Sequence, residues 1–188
     1  LGAHGNFDKG PYFYEEIMRI PIIVRDPLGR RPRNVASFVN LRDLFPTLIS
    51  LAGAEGVLSP EEAGRSYWDT NHEQTFYGYD GYQGREFKLR GIRTARYKYN
   101  WSPHDLCELY DLETDPGERT NLVGSTAHAE VQADLHARLL AWMASEGDYL
   151  LCAEHLRPVG SYVDGRAFED QHDPGWSEAD WAWFRRKA

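Results

Sequence analysis

Arg90-Gly91-Ile92-Arg93-Thr94-Ala95-Arg96-Tyr97-Lys98-Tyr99-Asn100-Trp101 is the stretch whose reading decides the fold. Ala95, Tyr97, Tyr99 and Trp101 alternate with Arg96, Lys98 and Asn100, and a period of two sends the two sets to opposite faces of a β-strand. The aromatic set predicts a core face, and the charged set, with Lys88, Arg90 and Arg93 upstream, predicts a solvent face. Gly91 marks a bulge or a hairpin turn between 87–90 and 92–101. Leu106 to Leu112 offers a further strand, closed by Asp115-Pro116-Gly117. Together these predict a small antiparallel sheet.

Downstream, Ala127 to Ser145 is the best helix. Val131, Leu135, Leu139 and Trp142 form a stripe at helical spacing, widened by Leu140 and Met143, while Gln132, Asp134 and Arg138 are expected to face away. Ser125 or Thr126 can cap its start and Gly147 follows its end. This helix is expected to cover one face of the sheet. Beyond Leu156 the tail carries Trp176, Trp181, Trp183 and Phe184, rings through which it would pack on the rest.

Upstream, Leu41, Leu44, Phe45, Leu48, Ile49 and Ala52 predict a helix ending at Gly53, with Pro46 either in its first turn or at a kink. Ile20 to Arg25 is a continuous β-branched run, the pattern of a strand covered on both faces in an α/β sheet. Val57 to Asp80 reads as an irregular linker with a short strand at Thr75–Tyr77. The 188 residues open on Leu1-Gly2-Ala3-His4-Gly5, without an initiator methionine or leader features, and read as the C-terminal piece of a longer protein.

Composition narrows the function. Lys plus Arg number 21 against 29 Asp plus Glu, a formal charge of −8 that opposes condensation onto nucleic-acid phosphates. The two cysteines, Cys107 and Cys152, make neither a disulfide framework nor a zinc cluster, and Cys152 reads as a small buried residue. Apolar runs are too short to span a bilayer.

His4 and Lys9 stand in a loop with glycines on both sides, where backbone can approach a ligand and Lys9 can place a point charge on an anion. Spacing alone favours a solvated lysine beside Asp8. Glu15 and Glu16 are adjacent, so they do not share a helix face, and pairing with Arg19 is expected. Asp111, Glu113, Asp115 and Glu118 are out of register with a calcium loop. No Gly-x-Ser-x-Gly elbow occurs.

Four segments in order resemble the C-terminal part of the sulfatase family, within the alkaline-phosphatase-like superfamily. They are Leu1–Glu16 with Arg19–Val24; Asn40–Gly53; Arg90–Tyr99; and Glu108–Glu118 with Asn121-Leu122. The resemblance implies a truncated α/β fold. Residues 1–56 would end the large catalytic domain, 57–86 would be linker and loops, 87–150 an antiparallel sheet covered by a helix, and 151–188 a Trp-rich tail.

It further implies a sulfuric ester hydrolase with a formylglycine nucleophile and a divalent cation, usually calcium. A phosphonate monoester or phosphodiester hydrolase of the same superfamily is the alternative, or a non-catalytic module binding a glycan or protein. Lys9 falls where the family places a sulfate-contacting lysine, and His4 would line the same pocket. The nucleophile motif Cys/Ser-x-Pro-x-Arg is absent from these residues, as are the N-terminal acidic metal ligands. This chain is therefore expected to hold no metal and to be inactive alone. A sulfated small molecule or glycan is the expected partner, with no nucleic acid and no membrane span. Substrate, compartment and oligomeric state are left open.

Overall fold

A computed structural model describes residues 2–6, 9–26, 29, 34, 36–54, 65–69, 71–83, 85–103 and 105–151. The elements are α1 (Glu15–Met18), α2 (Leu44–Leu51), β1 (Gln74–Tyr82), β2 (Arg85–Thr94), β3 (Tyr97–Trp101), β4 (Glu108–Asp111) and α3 (Ala129–Ser145). They group into two units, one holding residues up to Arg19 and from Phe76 onward, the other Ile20–Thr75.

The first unit is built on a four-stranded sheet in the order β1-β2-β3-β4. Ile92 opposes Tyr99 across the β2–β3 pair and Tyr99 opposes Leu109 across β3–β4, both antiparallel. Those three side chains and Trp101 point to one face, where α3 lays Leu135, Leu139 and Met143 against them, all at most 2% exposed. Burying apolar side chains of this size contributes about 1.5–3 kcal/mol each before ordering entropy is subtracted.

The predicted sheet and covering helix are therefore present, with four corrections. Gly91 lies inside β2, the turn joining β1 and β2 includes Gln83 at φ 50°, and the run 92–101 expected as one strand breaks at Ala95-Arg96, between the end of β2 and the start of β3. Gly91 is needed for space: a Cβ there would sit 2.0 Å from the Tyr77 ring. The strand expected at Thr75–Tyr77 runs on to Tyr82. On α3 the buried stripe is Gln132, Leu135, His136, Leu139 and Met143. Gln132, expected to face away, is buried because its Oε1 accepts the Gly124 N–H at 3.3 Å. The imidazole Nδ1 of His136 lies 3.3 Å from the Tyr99 hydroxyl. The end of α3 is tied to β2 by a buried guanidinium: Arg90 Nε and Nη2 donate to the two oxygens of Asp148, at 2.5 and 3.1 Å. The Trp-rich tail and Cys152 lie outside the described residues.

In the second unit, Asn40 and Asp43 form a capping box ahead of α2. The Asp43 carboxylate also accepts the Arg65 N–H at 3.1 Å and lies 3.3 Å from His72 Nε2, so one buried acid holds three separated pieces of chain. Pro46 is the third residue of α2, in the first turn, where its missing N–H costs nothing. Ile20–Arg25 is not a strand. No neighbour among the described residues supplies the ladder that its N–H and C=O groups would need, and Ile23 is 94% exposed. Leu41, Leu44, Phe45 and Leu48 are exposed as well.

Candidate functional site

The loop that carries the two predicted site residues is shaped by left-handed backbone. Gly2, Gly5 and Gly10 have φ of 86°, 72° and 60°, and His4 adopts 53° between the first two. His4 is held there by its ring, stacked on Tyr14 with centroids 3.6 Å apart and planes 2° from parallel. Its Nε2 lies 3.9 Å from Glu16. Lys9, five residues further on, is exposed.

The loop ends in an anchor that sequence reasoning missed. Lys98 and Tyr110 oppose each other across β3–β4, and Arg93 opposes Lys98 across β2–β3, on the sheet face away from α3. This face was expected to meet solvent. Instead Lys98 is wholly buried, because the segment Phe13–Glu15 lies across it. The Lys98 ammonium donates to the Phe13 carbonyl and to Glu118 Oε1, each at 2.7 Å, and pairs with Glu15 Oε1 at 2.7 Å. Glu118 Oε2 in turn accepts the Glu15 N–H at 2.6 Å.

Glu15 therefore pairs with Lys98 and, at 3.3 Å, with Arg93, rather than with Arg19. Phe13 packs edge-on against Tyr77 at 4.5 Å. A second polar row sits beside the first: Glu108 accepts from Asn100 at 2.9 Å, Tyr110 at 3.0 Å and Tyr14 at 3.4 Å. Arg90, the other strand cation expected in solvent, is buried on the opposite face by Asp148. The one readable signal was the ring content of 12–14, three successive aromatics that need a surface to cover.

Burial alone would raise the Glu15 carboxyl, but Lys98 and then Arg93 overcome it and hold it below the usual range. Glu118 goes the other way: burial raises it, and the Lys98 contact only partly offsets this. At the β4 end, the Arg96 guanidinium holds Asp111 at about 2, from an ordinary 3.8. A depressed carboxyl stabilises the fold above its unfolded pKa and loses that contribution as pH falls through the folded value. Glu118, being raised, contributes with the opposite sign. The expected result is a loss of stability from Asp111 as pH drops from about 4 toward 2. Asp111→Asn should flatten that limb in urea melts taken across the range, and an unchanged slope would show that the pair is not its source.

His4, Glu16 and Glu118 each offer a ligand atom, all within 4.8 Å of one another. The trio does not fit a calcium ion, which takes six to eight oxygens. One donor is an imidazole nitrogen, and both Glu118 oxygens already serve Lys98 and the Glu15 amide. Cys107 is buried and precedes Glu108-Leu109, so it does not fit the formylglycine motif.

Residues 2–145 match the family model described as N-sulphoglucosamine sulphohydrolase, C-terminal, a span that holds His4, Lys9, Glu15, Lys98 and Glu118. The chain is 32% identical to the N-acetylglucosamine-6-O-sulfatase of Bacteroides thetaiotaomicron over 72% of its length and 26% of that protein's. It is also 32% identical to the uncharacterized sulfatase YidJ of Escherichia coli K12, over 76% of this chain and 30% of the other. Among solved structures, a 2-O GAG sulfatase aligns at 31% identity over 56% of this chain and 25% of that one, with a TM-score of 0.49. The chain thus spans about a quarter to a third of the length of the curated relatives it matches.

Proposed function

Because the chain belongs to the sulfatase family, in the alkaline-phosphatase-like superfamily, we propose that it forms the C-terminal part of a sulfuric ester hydrolase and contributes Lys9 to the sulfate site. The observation that carries this reading is the family match across residues 2–145, which takes in the loop where the lysine stands exposed between glycines. An ammonium is a compact point charge that needs no planar partner, and it suits an anionic sulfate ester whose charge moves onto the leaving-group oxygen as the ester bond breaks. The residue after Lys9 is held to glycine: Gly10 stands at φ 60°, and a Cβ there would lie 2.5 Å from the Tyr12 ring. His4, fixed on Tyr14, lines the same loop.

The substrate class is a sulfated carbohydrate, in keeping with the sugar sulfatase among the relatives. The nucleophile and the divalent cation, which this chain's described residues do not fit, belong to the part of the enzyme that the match does not span. The chain alone is accordingly expected not to turn over. In the active enzyme, Lys9→Ala should lower kcat/KM for 4-nitrophenyl sulfate or glucosamine 6-sulfate by about 10²–10³-fold, the usual cost of removing one charge-stabilising donor. Stability should stay within about 0.5 kcal/mol, since the side chain is exposed. Unchanged turnover would remove Lys9 from the sulfate site.

A further inference from the structure

We propose that Lys98, Glu15 and Glu118 form a buried clamp whose role is to position the Lys9 loop, so that the C-terminal sheet sets where the sulfate-contacting charge stands. The proposal deepens the reading of Lys9 given above and rests on it for its catalytic consequence. The geometry points to it directly. A four-residue helix following a glycine-rich loop has too few internal hydrogen bonds to fix its own place. Yet the Glu15 N–H is tied to Glu118, the Phe13 carbonyl to Lys98, and the Glu15 carboxylate to Lys98 and Arg93. Backbone and side chain of one short segment are thus both held by a single ammonium and its counter-charge, 85 and 103 residues away in sequence.

A buried ammonium with two carboxylates is a costly way to join two pieces of apolar chain, which hydrophobic contact would join at least as well. What charges add is direction: three contacts at 2.7 Å on one nitrogen leave the segment a single register. Lys9 lies four residues before the first anchored atom, the Phe13 carbonyl, within the reach of that register. These residues position; they do not touch the sulfate.

The test uses Glu15→Gln, which removes the carboxylate from Lys98 and Arg93 but keeps the amide that Glu118 holds, so the fold survives. Amide exchange of residues 13–16 should speed up tenfold or more, while residues 135–143 of α3 keep their protection. Equal protection in variant and parent, or a loss spread over α3 as well, overturns the clamp. In the active enzyme with 4-nitrophenyl sulfate, Glu15→Gln should lower kcat by about tenfold. In a Lys9→Ala background the same change should cost less than twofold, because the group it positions is gone. A full tenfold loss in that background overturns positioning through Lys9. The exchange measurement is independent of the sulfate reading, so Lys9→Ala without effect on turnover would sink that reading and leave the clamp to be judged by exchange alone.

Discussion

Replacing Lys98 with methionine is expected to destabilise the sheet unit by about 3–5 kcal/mol, the range for breaking a buried ion pair from one side. Methionine fills much of the same volume, so the loss comes from charge and not from a cavity. Glu118, with its side chain 1% exposed, would be left ionised without its partner, or would take up a proton at a further cost. The Phe13 carbonyl would lose its donor too. Urea denaturation at neutral pH measures the loss. The comparison that isolates the cause is the same methionine combined with Glu15→Gln and Glu118→Gln. Removing the whole charged set should recover most of the stability, because an apolar or neutral replacement of a buried cluster is often close to neutral. A single-variant loss under 1 kcal/mol would be that of a surface pair and would contradict the burial of this one. The Asp134–Arg138 pair on α3 supplies that reference, since both of its side chains are exposed.

Gly91→Ala is expected to cost about 1–3 kcal/mol through overpacking, toward the upper end, and to lower the melting temperature by several degrees. The added methyl would stand 2.0 Å from Cε2 and 2.6 Å from Cζ of Tyr77, so the ring must leave. It cannot leave freely: its hydroxyl donates to Asn100 Oδ1 at 3.1 Å, and Phe13 rests against its edge. The strain therefore passes from β2 to the segment that carries Glu15. Calorimetry on Gly91→Ala, alone and with Tyr77→Ala, separates the two contributions. If the methyl is the cause, it should cost little once the ring is absent. A Gly91→Ala protein that melts with the parent would show that the ring has room to move.

How much of this could be read from residues alone depends on how far each signal reaches. Tyr99, Trp101 and Leu109 sit on the core face because alternation needs only neighbours along one strand. Leu135, Leu139 and Met143 are found by their helical spacing for the same reason. Gln132 and His136 on the same helix were not, since their burial depends on Gly124 and Tyr99, which no spacing reveals. Ile20–Arg25 shows the reverse failure: a run with strong strand preference is no strand where none of the described residues pairs with it.

The candidate site divides in the same way. His4 and Lys9 could be singled out by their glycine-flanked loop and by the order of four family-like segments, a property of the chain written out in line. That Lys98 lies inside was beyond such reasoning. A charged residue alternating with aromatics is placed on the wet face unless something covers it, and here the cover comes from Phe13–Glu15 and the counter-charge from Glu118. By itself the sequence determined that an antiparallel sheet is followed by a long covering helix, and it carried the family resemblance; the strand ends it did not determine. Only the tertiary structure decided that β3 is buried on both faces and that one ammonium joins the segment Phe13–Glu15 to it. The physical reason is that periodicity is local, whereas the desolvation of a charge is settled by whichever distant groups arrive to replace its water.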